Sequence, residues 1–166
     1  MLAALVNGRQ ALVDALEGVT ERMAALEPAP GRWSIRQCVE HVAIVEGFLL
    51  GRIESSTKAD TPMVDPRREA RIRERGADRT RPIQVPPEGV PDGRFATVAE
   101  ALRHFLDTRA RTIAFVENTA DDLRARITSH PLVPVVSCYE TLLMIAAHPE
   151  RHARQIAETR AALERV

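Results

Sequence analysis

The chain has 166 residues, 45% hydrophobic and 28% charged, with 23 lysines plus arginines against 23 aspartates plus glutamates. That length suits one domain with a hydrophobic core, and a net charge near zero speaks against a generic nucleic-acid or polyanion binder. No apolar run reaches the roughly 20 residues needed to cross a bilayer, and the opening MLAALVNGRQ has neither a basic n-region nor a cleavable apolar stretch, so a cytoplasmic protein with no membrane partner is expected.

Taken in chain order, the first helical stripe is Leu5, Leu12, Leu16, Val19, Met23 and Leu26, at steps of three, four and seven, with Pro28 and Pro30 ending it. The second element starts at Trp33-Ser34. Ser34 is a good N-cap, Gln37 three residues on completes a capping box, and Trp33 with Cys38 takes the positions of a hydrophobic staple. Ile35, Val39, Val42, Leu49 and Ile53 follow at helical spacing, to about residue 56.

Residues 58–95 form a long connection rich in proline and arginine. A short helix over Pro66 to Arg75 is predicted within it, the rest reading as extended loop. So long a connection is a crossover or functional, and a crossover lets the flanking helices run parallel. Arg67, Arg68, Arg71, Arg73, Arg75, Arg79 and Arg81 are dense there. Glu69, Glu74 and Asp78 interrupt them and no aromatic supplies base stacking, so the segment reads as a solvated cover for a cleft rather than a nucleic-acid site.

The third long helix opens on Thr97 and Glu100, a second capping box, with Leu102, Phe105, Leu106, Ile113 and Val116 as its apolar face. Before the fourth lies one strand-like run, Leu132 to Val136. The fourth opens on Ser137 and Glu140 and carries Leu142, Ile145, Ala146, Ala153 and Ile156. The expectation is all-α: a single four-helix bundle over residues 1–166 with a long crossover between the second and third long helices. Cys38 and Cys138 each fall at a helix start, in no disulfide-type spacing, and read as reduced core thiols.

The chemistry-bearing residues are histidines. His148 and His152 are four apart, so both face one side of a helix. Counting 100° per residue places them about 80° off the centre of the apolar stripe, at the edge of the buried face. His41 is likewise off the main stripe of its helix, on the side of Ile44 and Phe48. Three imidazoles from two helices suit Zn²⁺, Ni²⁺ or Fe²⁺ and leave a position for water or substrate. The plain alternative is that histidines four apart recur by chance and that a half-buried histidine bonds to backbone. His104 is expected to face solvent, and His130, before Pro131, to be structural. Glu46 falls inside an apolar stripe, where a lone carboxylate is not tolerated. It either reaches an arginine or backbone group, which is the expectation, or stands near the site as a catalytic base or outer-shell acceptor for a ligand histidine.

The stretches RWSIRQCVEHVAIVE, VPDGRFATVAEALRHFLDTR and HPLVPVVSCYETLLMIAAHPERHARQIAE resemble the DinB-like family of small metalloenzymes, in the branch with tryptophan-serine before the second helix and H-x-x-x-H-x-x-Q in the last. The resemblance covers nearly the whole chain. It implies up-down-down-up topology, one divalent metal on His41, His148 and His152, frequent homodimers, and relatives that transfer or isomerise with a low-molecular-weight thiol (bacillithiol, mycothiol or glutathione) as cosubstrate. One departure is Pro149, directly after His148. Proline inside a helix costs roughly 3 kcal/mol or more, so a kink is expected, or a helix restarting with Pro149 at its first position.

Two functions follow as expectations. One is a metal-dependent enzyme activating water or a thiol, for transfer to or hydrolysis of a small molecule. The other is a non-catalytic, stress-related bundle, a binding or dimerisation module with structural or no metal, whose dimer face includes Ile44 and Leu50. No serine-histidine-acid set or phosphate-binding glycine loop narrows the reaction.

Overall fold

A computed structural model describes residues 1–80, 82–131 and 133–165; Arg81 and Leu132 of the sequence reading lie outside them. The elements in order are α1 (Leu2–Ala15), α2 (Glu21–Ala24), α3 (Ile35–Glu54), β1 (Thr57–Lys58), α4 (Pro66–Gly76), a 3₁₀ turn at Pro87–Gly89, α5 (Val98–Asn118), β2 (Arg126–His130), β3 (Val133–Ser137) and α6 (Cys138–Leu163). The four long helices α1, α3, α5 and α6 form the bundle, with α1 on α6 and α3 packed against both α5 and α6. No helix among the described residues is long and apolar enough to cross a membrane.

The helix starts follow from the caps. Ser34 and Ser137 each make a complete box: their side chains accept from the backbone of Gln37 (3.2 Å) and Glu140 (3.1 Å), whose own side chains accept from the serine N–H. At α5 only half the box forms. Thr97 accepts from Glu100 N–H, but the Glu100 carboxylate turns to Ala96 N–H at 2.9 Å. The first stripe also differs from the single helix predicted. Gly18, at φ +74°, takes the chain out of the helix, and Thr20 caps the short α2. Leu16, Val19 and Met23 still pack on the core although the backbone has turned, while Leu26 is exposed.

Ile44 and Leu50 are buried within the chain, at 8% and 1% exposure, so they offer no dimer face. The helix is apolar around more of its circumference than one stripe because neighbouring elements cover it on several sides. The small antiparallel sheet, in the order β1-β2-β3, was largely unforeseen. Its β2, RITSH, has a single apolar residue and no alternation to read. Backbone pairing forms it, Ile127 opposite both Thr57 and Ser137, with the Arg126 guanidinium bonded to Ser56. Pro134 is tolerated because β3 is an edge strand.

Two hydrophobic clusters fill the bundle. One gathers Leu12, Ile35, Val39, Val42, Phe105 and Ile156; the other gathers Leu5, Leu49, Ile53, Leu142 and Ile145. Between them along α3 stands Glu46, buried against the fully buried Arg109 of α5. Nε and Nη2 of Arg109 donate to the two Glu46 oxygens at 2.7 Å each, and the Thr112 hydroxyl lies 3.0 Å from Oε1. The guanidinium also donates to the carbonyls of Leu5 on α1 and Ile145 on α6.

This last bond accounts for Pro149. A proline at 149 has no N–H for the carbonyl four residues back, that of Ile145. Arg109 Nη2 fills the vacancy at 3.0 Å. α6 is one helix from Cys138 to Leu163 with Pro149 inside it, so the helix does not restart at the proline. α1 passes close to the adjoining turn: a Cβ on Gly8 would stand 2.3 Å from the Ala146 carbonyl oxygen. Gly8→Ala is therefore expected to cost roughly 1–3 kcal/mol as α1 backs away, seen as a lower urea midpoint; an unchanged midpoint would show that the contact yields freely.

Candidate metal centre

His41 sits in the second turn of α3, His148 and His152 in the middle of α6, and the pairing of these helices brings the three rings together. The Nε2 atoms of His41 and His152 each lie 3.0 Å from Nε2 of His148. The three rings are mutually edge-on, with centroids 4.5–4.8 Å apart. Among the described residues they form the one group of potential ligands whose donor atoms all fall within 4.8 Å of one another. His41 and His152 are more deeply buried than the edge of a helix face implies, at 5% exposure each.

The tautomer of His41 is fixed from outside. Its Nδ1 is 2.5 Å from the Gly89 carbonyl, which only accepts, so Nδ1 carries the proton and Nε2 presents a lone pair. Burial holds all three imidazoles below the ordinary histidine range, and strongly so for His148 and His152, where the other charges of the site add to the effect. At neutral pH the rings are therefore neutral. Several lone pairs then converge in a buried space, and the one proton His148 could carry on Nε2 cannot satisfy both neighbours. The donor set fits a divalent cation that prefers imidazole nitrogen.

Gly89 matters for its lack of a side chain. A Cβ there would meet Val45 at 3.1 Å, His41 Cε1 at 3.2 Å and Val85 at 3.3 Å. The loop that carries it is tied to α3 one residue earlier, where Glu40 Oε1 accepts the backbone N–H groups of Asp92, Gly93 and Arg94 at 2.8–3.1 Å. Gly89→Ala is expected to turn the His41 ring and weaken zinc binding by roughly 10–100-fold, the usual penalty for disturbing an outer partner of a ligand histidine. Competition with a chromophoric chelator measures it, and an unchanged affinity would mean the carbonyl does not orient the ring.

The rings open onto a cavity of about 880 Å³ between α3, α4 and α6. Trp33 walls it beside the ligands, its ring 4.9 Å from that of His41 and 6.4 Å from that of His152. The predicted arginine-rich cover is real: α4, capped by Asp65 with Pro66 in its first turn, packs on α6 and lines the cavity. His130, the last residue of β2, also lines it; His104 is exposed against Phe95. Glu46 is taken up by Arg109 and Thr112. The cysteines are free and buried; burial pushes the Cys38 thiol up to about 12 and raises that of Cys138, so neither supplies a thiolate near neutral pH.

Sequence reasoning did not anticipate Gly89 or the cavity role of Trp33, which was read only as a staple. Neither carries a local signal, because each meets the histidines through a contact remote in sequence.

The sequence profile of the DinB superfamily matches residues 4–156. Over 150 residues the chain is 21% identical to the uncharacterized protein YuaE of Bacillus subtilis (strain 168), covering 90% of this chain and 91% of that one. Its fold is similar to the solved structure of YfiT from Bacillus subtilis, described as a probable metal-dependent hydrolase with an unusual four-helix bundle topology, with a TM-score of 0.62 at 18% identity over 98% of this chain and 85% of that one. At that identity the likeness is one of fold.

Proposed function

The chain belongs to the DinB superfamily, and from that premise we propose that it is a metal-dependent enzyme acting on a small molecule, with His41, His148 and His152 holding one divalent ion, Zn²⁺, Ni²⁺ or Fe²⁺. The observation that carries this reading is the convergence of three neutral imidazoles at Nε2–Nε2 distances of 3.0 Å on the wall of a cavity. The description of YfiT as a probable metal-dependent hydrolase on the same fold supports it. When bound, such an ion supplies Lewis acidity and lowers the pKa of a coordinated water or thiol toward neutrality.

The chain's own residues do the rest. Gly89 orients His41, Trp33 covers the ligand rings, and the apolar wall of Val45, Phe48 and Met144 excludes water from part of the cavity. Neither cysteine is among the residues lining the cavity, and this reading takes the attacking group from solution, as water in a hydrolysis or as a low-molecular-weight thiol cosubstrate in a transfer. Elemental analysis of untagged protein tests the premise: near one equivalent of metal is expected, lost in His41→Ala. A stoichiometry near zero after loading with each of the three ions removes the reading. With metal shown, ester hydrolysis and thiol conjugation assays separate the two reactions.

A further inference from the structure

The chain as a whole is neutral, yet the wall of the cavity is not. Arg32, Arg71, Arg75 and Arg151 line it together with Arg68 and Arg79, and Glu88 is the one acid among the lining residues described. Arg68 is neutralised by Glu140 and Arg79 by Glu158, both at 2.8 Å. The side chains of Arg71 and Arg75 have no acidic partner among the described residues, and both are exposed.

Arg68, Arg71, Ile72 and Arg75 recur at three and four residues, which puts them on one face of α4. The packing of α4 on α6 turns that face to the cavity: a Cβ on Gly76 would stand 2.5 Å from Cβ of Ala147, so the two helices meet closely at the end of this row. Like charges four apart weaken a helix. Arg71 and Arg75 are such a pair, with no ion pair to an acid among the described residues, and Arg151 lines the same cavity. Phe48, Ile72 and Met144 add apolar surface to the same cavity. A guanidinium pair next to an apolar wall suits a ligand with an oxyanion at one end and a hydrocarbon body.

We propose that this cavity takes a small amphiphilic acid, a carboxylate or a phosphate monoester, whose oxyanion lies between Arg71 and Arg75 and whose body lies against Phe48, Ile72 and Met144, its reacting end toward the three histidines. The proposal rests on reading the cavity as the substrate site, but the oxyanion subsite is built from α4 and does not need the metal.

Calorimetric titration of the full chain, metal-free and zinc-loaded, with hexanoate, hexyl phosphate, 1-hexanol and hexylamine tests it. In metal-free protein at least one of the two acids is expected to bind about ten-fold or more tightly than hexanol, hexylamine is the weakest, and the preference shrinks with added salt. The stronger of hexanoate and hexyl phosphate identifies the head group. The double variant R71A/R75A loses the preference and keeps hexanol binding, while R71K/R75K retains most of it. Acids that bind metal-free protein no better than hexanol, or a preference untouched in R71A/R75A, overturn the proposal. Acid binding seen only with zinc and abolished by His148→Ala also overturns it, by placing the acid on the metal, and leaves the metal reading standing. Acid binding that persists in a protein that takes up no metal supports the oxyanion subsite and removes the metal reading alone.

Discussion

Replacing Arg109 by methionine is expected to cost the fold about 3–5 kcal/mol, the usual penalty for stranding the partner of a buried ion pair. Glu46 is 2% exposed, and two of the three side-chain hydrogen bonds it makes among the described residues come from Arg109. Without the guanidinium it must either stay charged among apolar side chains or take up a proton. The double variant R109M/E46L removes both charges and should recover most of the loss, since apolar replacements of buried pairs are often close to neutral. It should not recover all of it. Arg109 also serves the Ile145 carbonyl that Pro149 cannot, and a buried acceptor left unpaired costs roughly 1–3 kcal/mol. Adding Pro149→Ala returns an N–H to that carbonyl. It should stabilise the double variant by more than it changes the parent, measured as urea midpoints at constant m. Equal effects in the two backgrounds would show that Arg109 does not stand in for the missing helical bond.

His148→Ala is expected to abolish the stabilisation that metal confers. Binding to the folded state alone adds RT ln(1 + [L]/Kd), about 2.7 kcal/mol when free zinc is a hundred times its dissociation constant. For a chain of this size that is a rise in Tm of roughly 5–10 °C. His148 is the ring that both others touch, each at 3.0 Å, so its loss leaves His41 and His152 without the ligand between them. The metal-free variant should melt near the metal-free parent, because the removed ring is neutral and its converging lone pairs stabilise nothing without a cation. Melts with zinc and with chelator, on parent and variant, give the comparison. An equal zinc shift in both proteins would place the ion elsewhere.

The three histidines that cluster here stand out in the sequence before the fold is known. His41, His148 and His152 stand out by helical spacing and by their distance from the apolar stripes, and the stretches around them resemble those of a metal-binding family. The starts of the long helices after α1 were legible too, since a serine or threonine cap acts within three residues. What escaped were features made by contacts between distant segments. β2 carries no alternation of its own, and Gly18 ends α1 through a backbone angle while the apolar stripe runs on past it.

Pro149 shows the division most clearly. By itself the sequence determined that the helix carrying His148 lacks one backbone donor, because proline has no N–H in any fold. It also determined that Glu46 needed a partner, because a carboxylate in an apolar stripe cannot stay alone. Only the tertiary structure decided that one residue answers both needs. Arg109, on a third helix, reaches Glu46 and the Ile145 carbonyl together, so α6 runs unbroken and brings His148 and His152 to the same point as His41. Local rules see along the chain over a turn or two; the meeting of a guanidinium with an orphaned carbonyl 36 residues away exists only once the helices have packed.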